Sequence, residues 1–172
     1  MYRLRLLFPI FLVFAAVSCG YSLQPTGDGR FSDSTALIDL SPFMNDTTES
    51  DAGPYIASKL REGLRQRGFN GQFGRIGADF LVSGKVLESR DEVLSHIAVR
   101  FALENRLTLV VGIRVIDTHN GKVLWKEDDL RESVSYYSGP DPEYTASNRR
   151  AAFEEAVRRI VLRMAQTIRL IL

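Results

Sequence analysis

Five apolar residues, Leu107, Leu109, Val111, Ile113 and Val115, alternate without a break, with Thr108, Gly112 and Arg114 on the opposite side of the same segment. A period of two over residues 106–117 specifies a strand buried on one face. Five in-register positions also fix which face that is, because a slip of one residue would turn all of them to water. Asn120-Gly121 follows, a pair that tolerates the positive φ of a tight primed turn. Val123, Leu124 and Trp125 then open a returning strand that runs through Val134 to Tyr137. The chain is therefore committed to two long antiparallel strands whose apolar face something else must cover.

The covering layer is legible on either side of this hairpin. Ser138-Gly139-Pro140-Asp141-Pro142 breaks the strand pattern, and Asp141 is placed to cap a helix with Pro142 at its first position. Beyond it Phe153, Val157, Ile160, Val161, Met164, Ile168 and Ile171 recur at helical spacing, with Glu154→Arg158 and Glu155→Arg159 as i,i+4 pairs. A second helix is expected over residues 53–67, where Ile56, Leu60 and Leu64 form a stripe beside Ala57 and Pro54 suits the first turn. Gly68 is placed to end it in the left-handed region with Phe69 packing back. Lys59, Arg61, Arg65 and Arg67 gather near its C-terminus, as the helix dipole favours, on a face expected to be solvated. Residues 35–43 alternate through Ala36, Ile38 and Leu40 as a first strand. Residues 79–94 form another, with Phe80, Val82, Gly84 and Val86 on one face. Asn45-Asp46-Thr47 between them matches a glycosylation acceptor by chance only. The expected architecture is α+β, a two-layer sandwich of two helices on one face of a four-stranded mixed sheet, in the order strand, helix, three strands, helix.

Ahead of this domain, Met1-Tyr2-Arg3-Leu4-Arg5 is basic, and an apolar run from Leu6 to Val17 leads into Ala16-Val17-Ser18-Cys19-Gly20. That is the order of a secretory signal, and the run, interrupted by Pro9, is too short to span a bilayer. The tetrad Ala16-Val17-Ser18-Cys19 fits a lipobox, with Ala16 where leucine is commoner, and Cys19 is the only cysteine of the chain. Cys19 is accordingly expected to carry lipid as the first mature residue, which leaves no thiol for a disulfide or a metal. Gly20 is not the aspartate that retains lipoproteins at the inner membrane of enteric bacteria, so the outer membrane is favoured. The expected organisation is a signal peptide at 1–18, an acylated N-terminus and flexible tether rich in Gly, Ser, Thr, Asp and Pro at 19–34, and a single domain at 35–172. Removing the signal leaves 172 − 18 = 154 residues, a one-domain length. A net charge of +1 gives no reason to expect a nucleic-acid partner, and 45% hydrophobic with 25% charged residues is the composition of a folded protein.

No catalytic constellation, metal site or cofactor site is expected. His96 and His119 stand without a Cys or second His at ligand spacing, and both are assigned to exposed connections. Asp128-Asp129 and Glu154-Glu155 are no acid/base dyads, since strand neighbours face opposite ways and the helix pair has Arg partners. Nucleophile-elbow, phosphate-loop and dinucleotide motifs are missing from the sequence. The arginines of the last helix (Arg149, Arg150, Arg158, Arg159, Arg163, Arg169) are expected on a solvated face. Arg90 and Arg100 flank the connection between the second and third long strands, at one end of the sheet, where loop cations could meet an anionic glycolipid.

These segments in this order resemble a known family. Cys19-Gly20-Tyr21-Ser22-Leu23 after the lipobox, Leu40-Ser41-Pro42-Phe43-Met44-Asn45 closing a strand, Arg67-Gly68-Phe69 closing a helix, Ser83-Gly84-Lys85-Val86, and Gly121-Lys122-Val123-Leu124-Trp125 before a long terminal helix are similar to the lipopolysaccharide-assembly lipoproteins, LptE. The resemblance implies a non-enzymatic outer-membrane lipoprotein on the periplasmic side, held by N-terminal acyl chains. It also implies a plug and assembly partner for the lipopolysaccharide-insertion β-barrel, and a lipopolysaccharide contact through basic residues near the sheet end. Arg100 is the best carry-over and Arg90 the second. The chain departs from the family before the terminal helix, where Asp141, Glu143 and Thr145 stand and no Lys or Arg occurs until Arg149. Two alternatives stay open at this level. One is a periplasmic lipoprotein that activates a peptidoglycan synthase or assembles a secretion complex. The other is a hydrolase whose site is built from scattered residues.

Overall fold

In the computed structural model, which describes residues 35–94 and 103–172, the chain runs β1 (Leu37–Leu40), β2 (Met44–Asn45), α1 (Ala52–Gln66), β3 (Gln72–Phe73), β4 (Phe80–Val93), β5 (Leu103–Asp117), β6 (Val123–Ser138) and α2 (Pro142–Ile171). The expected signal peptide, Cys19, the tether, His96 and Arg100 lie outside the described residues. The strands form one mixed sheet in the order β3-β1-β4-β5-β6, with β2 also on β4. β1 is parallel to both of its neighbours, whereas β4, β5 and β6 form an antiparallel meander. The fold is the expected α+β sandwich with its mixed sheet.

The alternating residues of 107–115 become the centre of that sheet, but burial is not confined to one face as expected, since Thr108 and Val110 on the other side are only 5% and 4% exposed. Leu107, Leu109, Val111, Ile113 and Val115 are all at most 3% exposed. Burying each contributes about 1.5–3 kcal/mol before the entropy of ordering is set against it. Over them lie Ile56, Ala57, Leu60 and Leu64 of α1 and Val157, Ile160, Val161, Met164 and Ile168 of α2, in one continuous core. The opposite face of the sheet is polar along β6, where Lys126, Arg131, Ser133 and Ser135 are exposed. β6 is an edge strand, protected as such edges usually are by charges and by a register break between its pairs Ile113↔Glu127 and Val111↔Leu130. That break makes Asp128 and Asp129 a bulge, where simple alternation is expected from the sequence.

The sheet has six strands where four are expected. β2 and β3 are two residues each, too short to leave a periodic signal. The expected first strand over 35–43 is in fact broken into two pieces. β1 pairs with residues 80–82 of β4 and β2 with residues 85–86, and between them Pro42 ends the ladder and Phe43 turns into the core at 3% exposure. Gly84 makes that possible, because a Cβ there would stand 2.3–2.7 Å from the Phe43 ring.

Helix ends follow the sequence closely. Asp141 caps α2 by accepting a 2.9 Å hydrogen bond from the Glu143 amide, with Pro142 in the first turn. Gly68 has φ +91°, and the Phe69 amide returns to the Leu64 carbonyl at 3.1 Å. The basic face of α1 is exposed at Lys59, Arg61 and Arg65, as expected, and its arginines also make contacts. Arg61 and Arg65 lie over the Phe73 ring at 5.3 and 5.0 Å, and Arg61 also donates to the Leu40 carbonyl at 3.1 Å. On α2, Glu155 takes both Arg158 and Arg159 at 2.7 Å, so the expected Glu154→Arg158 pair is replaced by an i,i+3 bond.

Candidate functional site

The sandwich has two ends. At one lie the start of β1, the 74–79 loop, the β5–β6 turn and the C-terminus of α2. At the other lie the 46–51 segment, the end of β4, the start of β5 and the N-terminus of α2. Arg90 sits toward the second end, near the close of β4. Pairing of Arg90 with Thr108 and of Val86 with Val111, with a bulge between Val86 and Glu88, puts Glu88, Arg90 and Glu92 on the face away from the helices. The Arg90 guanidinium is held on both sides, its Nε 3.0 Å from Glu88 and its Nη2 2.9 Å from Glu92. Arg131 from β6 extends the row, 3.9 Å from Glu88 and 3.3 Å from Asp129. The row alternates acid and base, with one acid in excess. A phosphate that approached Arg90 would have to displace carboxylates already in place.

The helix-facing side of the same β4 segment carries a second such arrangement. Asp91 accepts from the Tyr136 hydroxyl at 2.9 Å and from Arg149 Nε at 2.9 Å, and Arg149 Nη2 donates to Glu49. This joins β4, β6, the segment before α1 and the second turn of α2. The Glu49 hydrogen bond, with help from Asp91, raises the Arg149 pKa further above its already high value, against the opposing effect of burial. Burial, and then the hydrogen bond to Asp91, pushes the Tyr136 hydroxyl up to about 12. The sequence marks Arg149 only as a helix arginine. Its partner Glu49 is one hundred residues away, and no local spacing announces a contact of that separation.

At the first end His119 lies in the expected turn, 65% exposed, its ring nitrogens 3.4 Å from Asp79 and from Asp117. Those carboxylates are engaged with the chain itself. Asp79 accepts from the Leu37 amide at 2.7 Å, and Asp117 from the His119 amide at 3.0 Å and Asn120 Nδ2 at 3.1 Å. They line a cavity of about 460 Å³ with Thr35, Ala36 and Phe80. A larger groove of about 550 Å³ runs between the helices, bordered by Tyr55, Lys59, Glu62, Glu155 and Arg158. Asn45, in the glycosylation-like triplet, accepts from both the amide and the hydroxyl of Thr47, so the triplet forms a turn. Among the described residues no helix is long and apolar enough to cross a membrane. What these surfaces supply is ion pairing and shape, the chemistry of binding.

Comparison with known proteins agrees with the fold. The family model described as LptE, lipopolysaccharide-assembly, matches residues 36–170. No curated protein matches the chain. Among solved structures, a protein of Caulobacter crescentus CB15 superimposes with a TM-score of 0.51 at 18% identity, covering 77% of this chain and 87% of that one. A minor lipoprotein of Acinetobacter baumannii gives 0.50 at 13% identity, covering 79% and 93%. A hypothetical protein of Chlamydia trachomatis gives 0.51 at 11%, covering 78% and 98%. At these identities the likeness is one of fold.

Proposed function

Since the chain belongs to the LptE lipopolysaccharide-assembly family, we propose that it is a non-enzymatic outer-membrane lipoprotein acting on the periplasmic side as plug and assembly partner of the lipopolysaccharide-insertion β-barrel. The observation that carries this is the match over residues 36–170, which takes in every described strand, the first helix and all but the last residue of the second. In this proposal residues 1–18 are the export signal, Cys19 bears the acyl chains, 19–34 form the tether and 35–172 the domain. The two or three chains of a processed lipoprotein cysteine anchor stably, where a single chain binds only marginally.

Direct lipopolysaccharide contact through Arg100 and Arg90 is part of the same proposal. Arg90 would act by exchanging Glu88 and Glu92 for lipid phosphates, an exchange favoured where several phosphates arrive together. Depletion of the protein tests the assembly role. The barrel partner is expected to fail to reach its assembled form, and normal assembly in its absence would overturn the proposal. Recovery of the acylated protein with a peptidoglycan synthase or a secretion complex, and without a barrel, would favour the other client class.

A further inference from the structure

Ile76, at the tip of the 74–79 loop, is 95% exposed, and Leu170, in the last turn of α2, is 71% exposed. They are the two most exposed large apolar side chains among the described residues; Ile76 lies in a loop bonded to the Ile38 and Leu37 carbonyls by the Gly74 and Asp79 amides, and Leu170 lies at the C-terminal end of α2. Arg75 in the same loop, Lys122 on the β5–β6 turn and Arg169 in the last turn of α2 are exposed as well. The acids there are withdrawn. The side chains of Asp39, Asp79 and Asp117 are 15%, 32% and 9% exposed, and all three accept hydrogen bonds from the chain. The loop is held in place as well: Asp79 N donates to the Leu37 carbonyl at 2.8 Å, the Thr118 hydroxyl donates to the carbonyls of Ala78 and Asp79, and Gly77 turns the chain at φ +74°. A fixed loop with an exposed apolar residue next to Arg75, and with exposed cations on the β5–β6 turn and the last turn of α2, matches a bilayer interface, where phosphates meet the cations and the acyl boundary takes the apolar side chain.

We infer that this end of the domain docks on an anionic phospholipid leaflet, with Ile76 entering the interface and Arg75 and Lys122 against the headgroups. The inference rests on the anchor assigned to Cys19 in the proposed function. It commits to a membrane because of where the chain leads. Thr35 precedes β1 directly beside the 74–79 loop, since Ala36 and Leu37 bond to Gln72 and Asp79. Cys19 is sixteen residue steps earlier, a reach of at most roughly 55 Å. Lipid at Cys19 joins the domain at this end, so that weak contacts here act at high local concentration.

The test uses the full chain, purified from membranes after maturation and returned to vesicles of phosphatidylethanolamine with phosphatidylglycerol. The chain has one cysteine, so in acylated protein an Ile76→Cys thiol is the sole target for an environment-sensitive fluorophore. Ser50→Cys at the opposite end serves as the reference. The Ile76 label should shift to the blue and be quenched by a lipid-borne nitroxide, while the Ser50 label stays in water. Arg75→Ala and Lys122→Ala should each weaken docking about fivefold, the effect of one cation near an anionic surface. An Ile76 label as water-exposed as the Ser50 label overturns the docking. So does a label shielded only when the barrel partner is added, which would assign the surface to a protein. Labelling of the parent chain would show that Cys19 carries no lipid. That result removes the anchor and the docking with it, and it is distinct from an acylated chain whose Ile76 stays in water.

Discussion

Two sets of arginines near opposite ends of the sandwich are held differently. Toward the end where β4 closes, Arg90 lies between Glu88 and Glu92, and Arg149 between Glu49 and Asp91. At the end where β1 begins, Arg75 has only Asp39 at 3.9 Å and is 85% exposed. Lys122 and Arg169 make no ion pair among the described residues. Pairing distinguishes particular cations: Arg149 cross-links four elements near one end, whereas Arg75, Lys122 and Arg169 are exposed and meet at most Asp39.

The comparison can be broken most directly by stability. Arg149→Ala leaves Asp91 and Glu49 facing each other without their shared cation. Arg149 is 32% exposed, so solvent screens part of the loss, and about 2 kcal/mol is expected by urea denaturation, below the range for a fully buried pair. A loss no larger than a neutral surface change would mean that the network is ornamental. Tyr136→Phe should cost about 1 kcal/mol at neutral pH through its hydrogen bond to Asp91. It also carries a pH signature. The Tyr136 pKa is raised from 10.0 to about 12 in the folded chain, so the unfolded chain releases its proton first as pH rises. The stability linked to this proton is complete below pH 10 and lost on the way through 12, and the phenylalanine variant should lose stability less steeply across that window in pH-dependent denaturation.

Smaller still, replacing Glu88 and Glu92 by Gln should strengthen binding of isolated lipopolysaccharide about threefold by releasing Arg90, and Arg90→Ala should weaken it, both read by a direct binding titration. Equal affinities would remove Arg90 from the contact. Arg75→Ala at the other end should change stability by less than about 0.5 kcal/mol, measured in the same urea series.

What was legible in the sequence follows from which interactions are local. The caps at Asp141 and Gly68, the turn at Gly121 and the apolar face of β5 depend on residues within a few positions of one another, and the structure places them as expected. The break at Phe43 was not legible, because its cause is Gly84, a strand residue whose missing side chain leaves room for a ring forty-one positions earlier. Gly84 was placed on the correct face for a different reason. The basic face of α1 is exposed as expected, but nothing near it in sequence marks Phe73 as the ring that Arg61 and Arg65 cover. At the sheet end Arg90 could be found as a cation but not as a neutralised one. Its partners at i−2 and i+2 share a strand face, a signal that was available, whereas Glu49 opposite Arg149 gave none.

β1 lies between β3 and β4 and is parallel to both. Neither neighbour exists until more than thirty further residues have been added to the chain, since β1 pairs with residues 72–73 and 80–82. By contrast, β5 and β6 are joined by a short turn and can zip as soon as they appear. Seating β1 must therefore close loops of more than thirty residues on both sides, a larger entropy cost than the short β5–β6 turn carries.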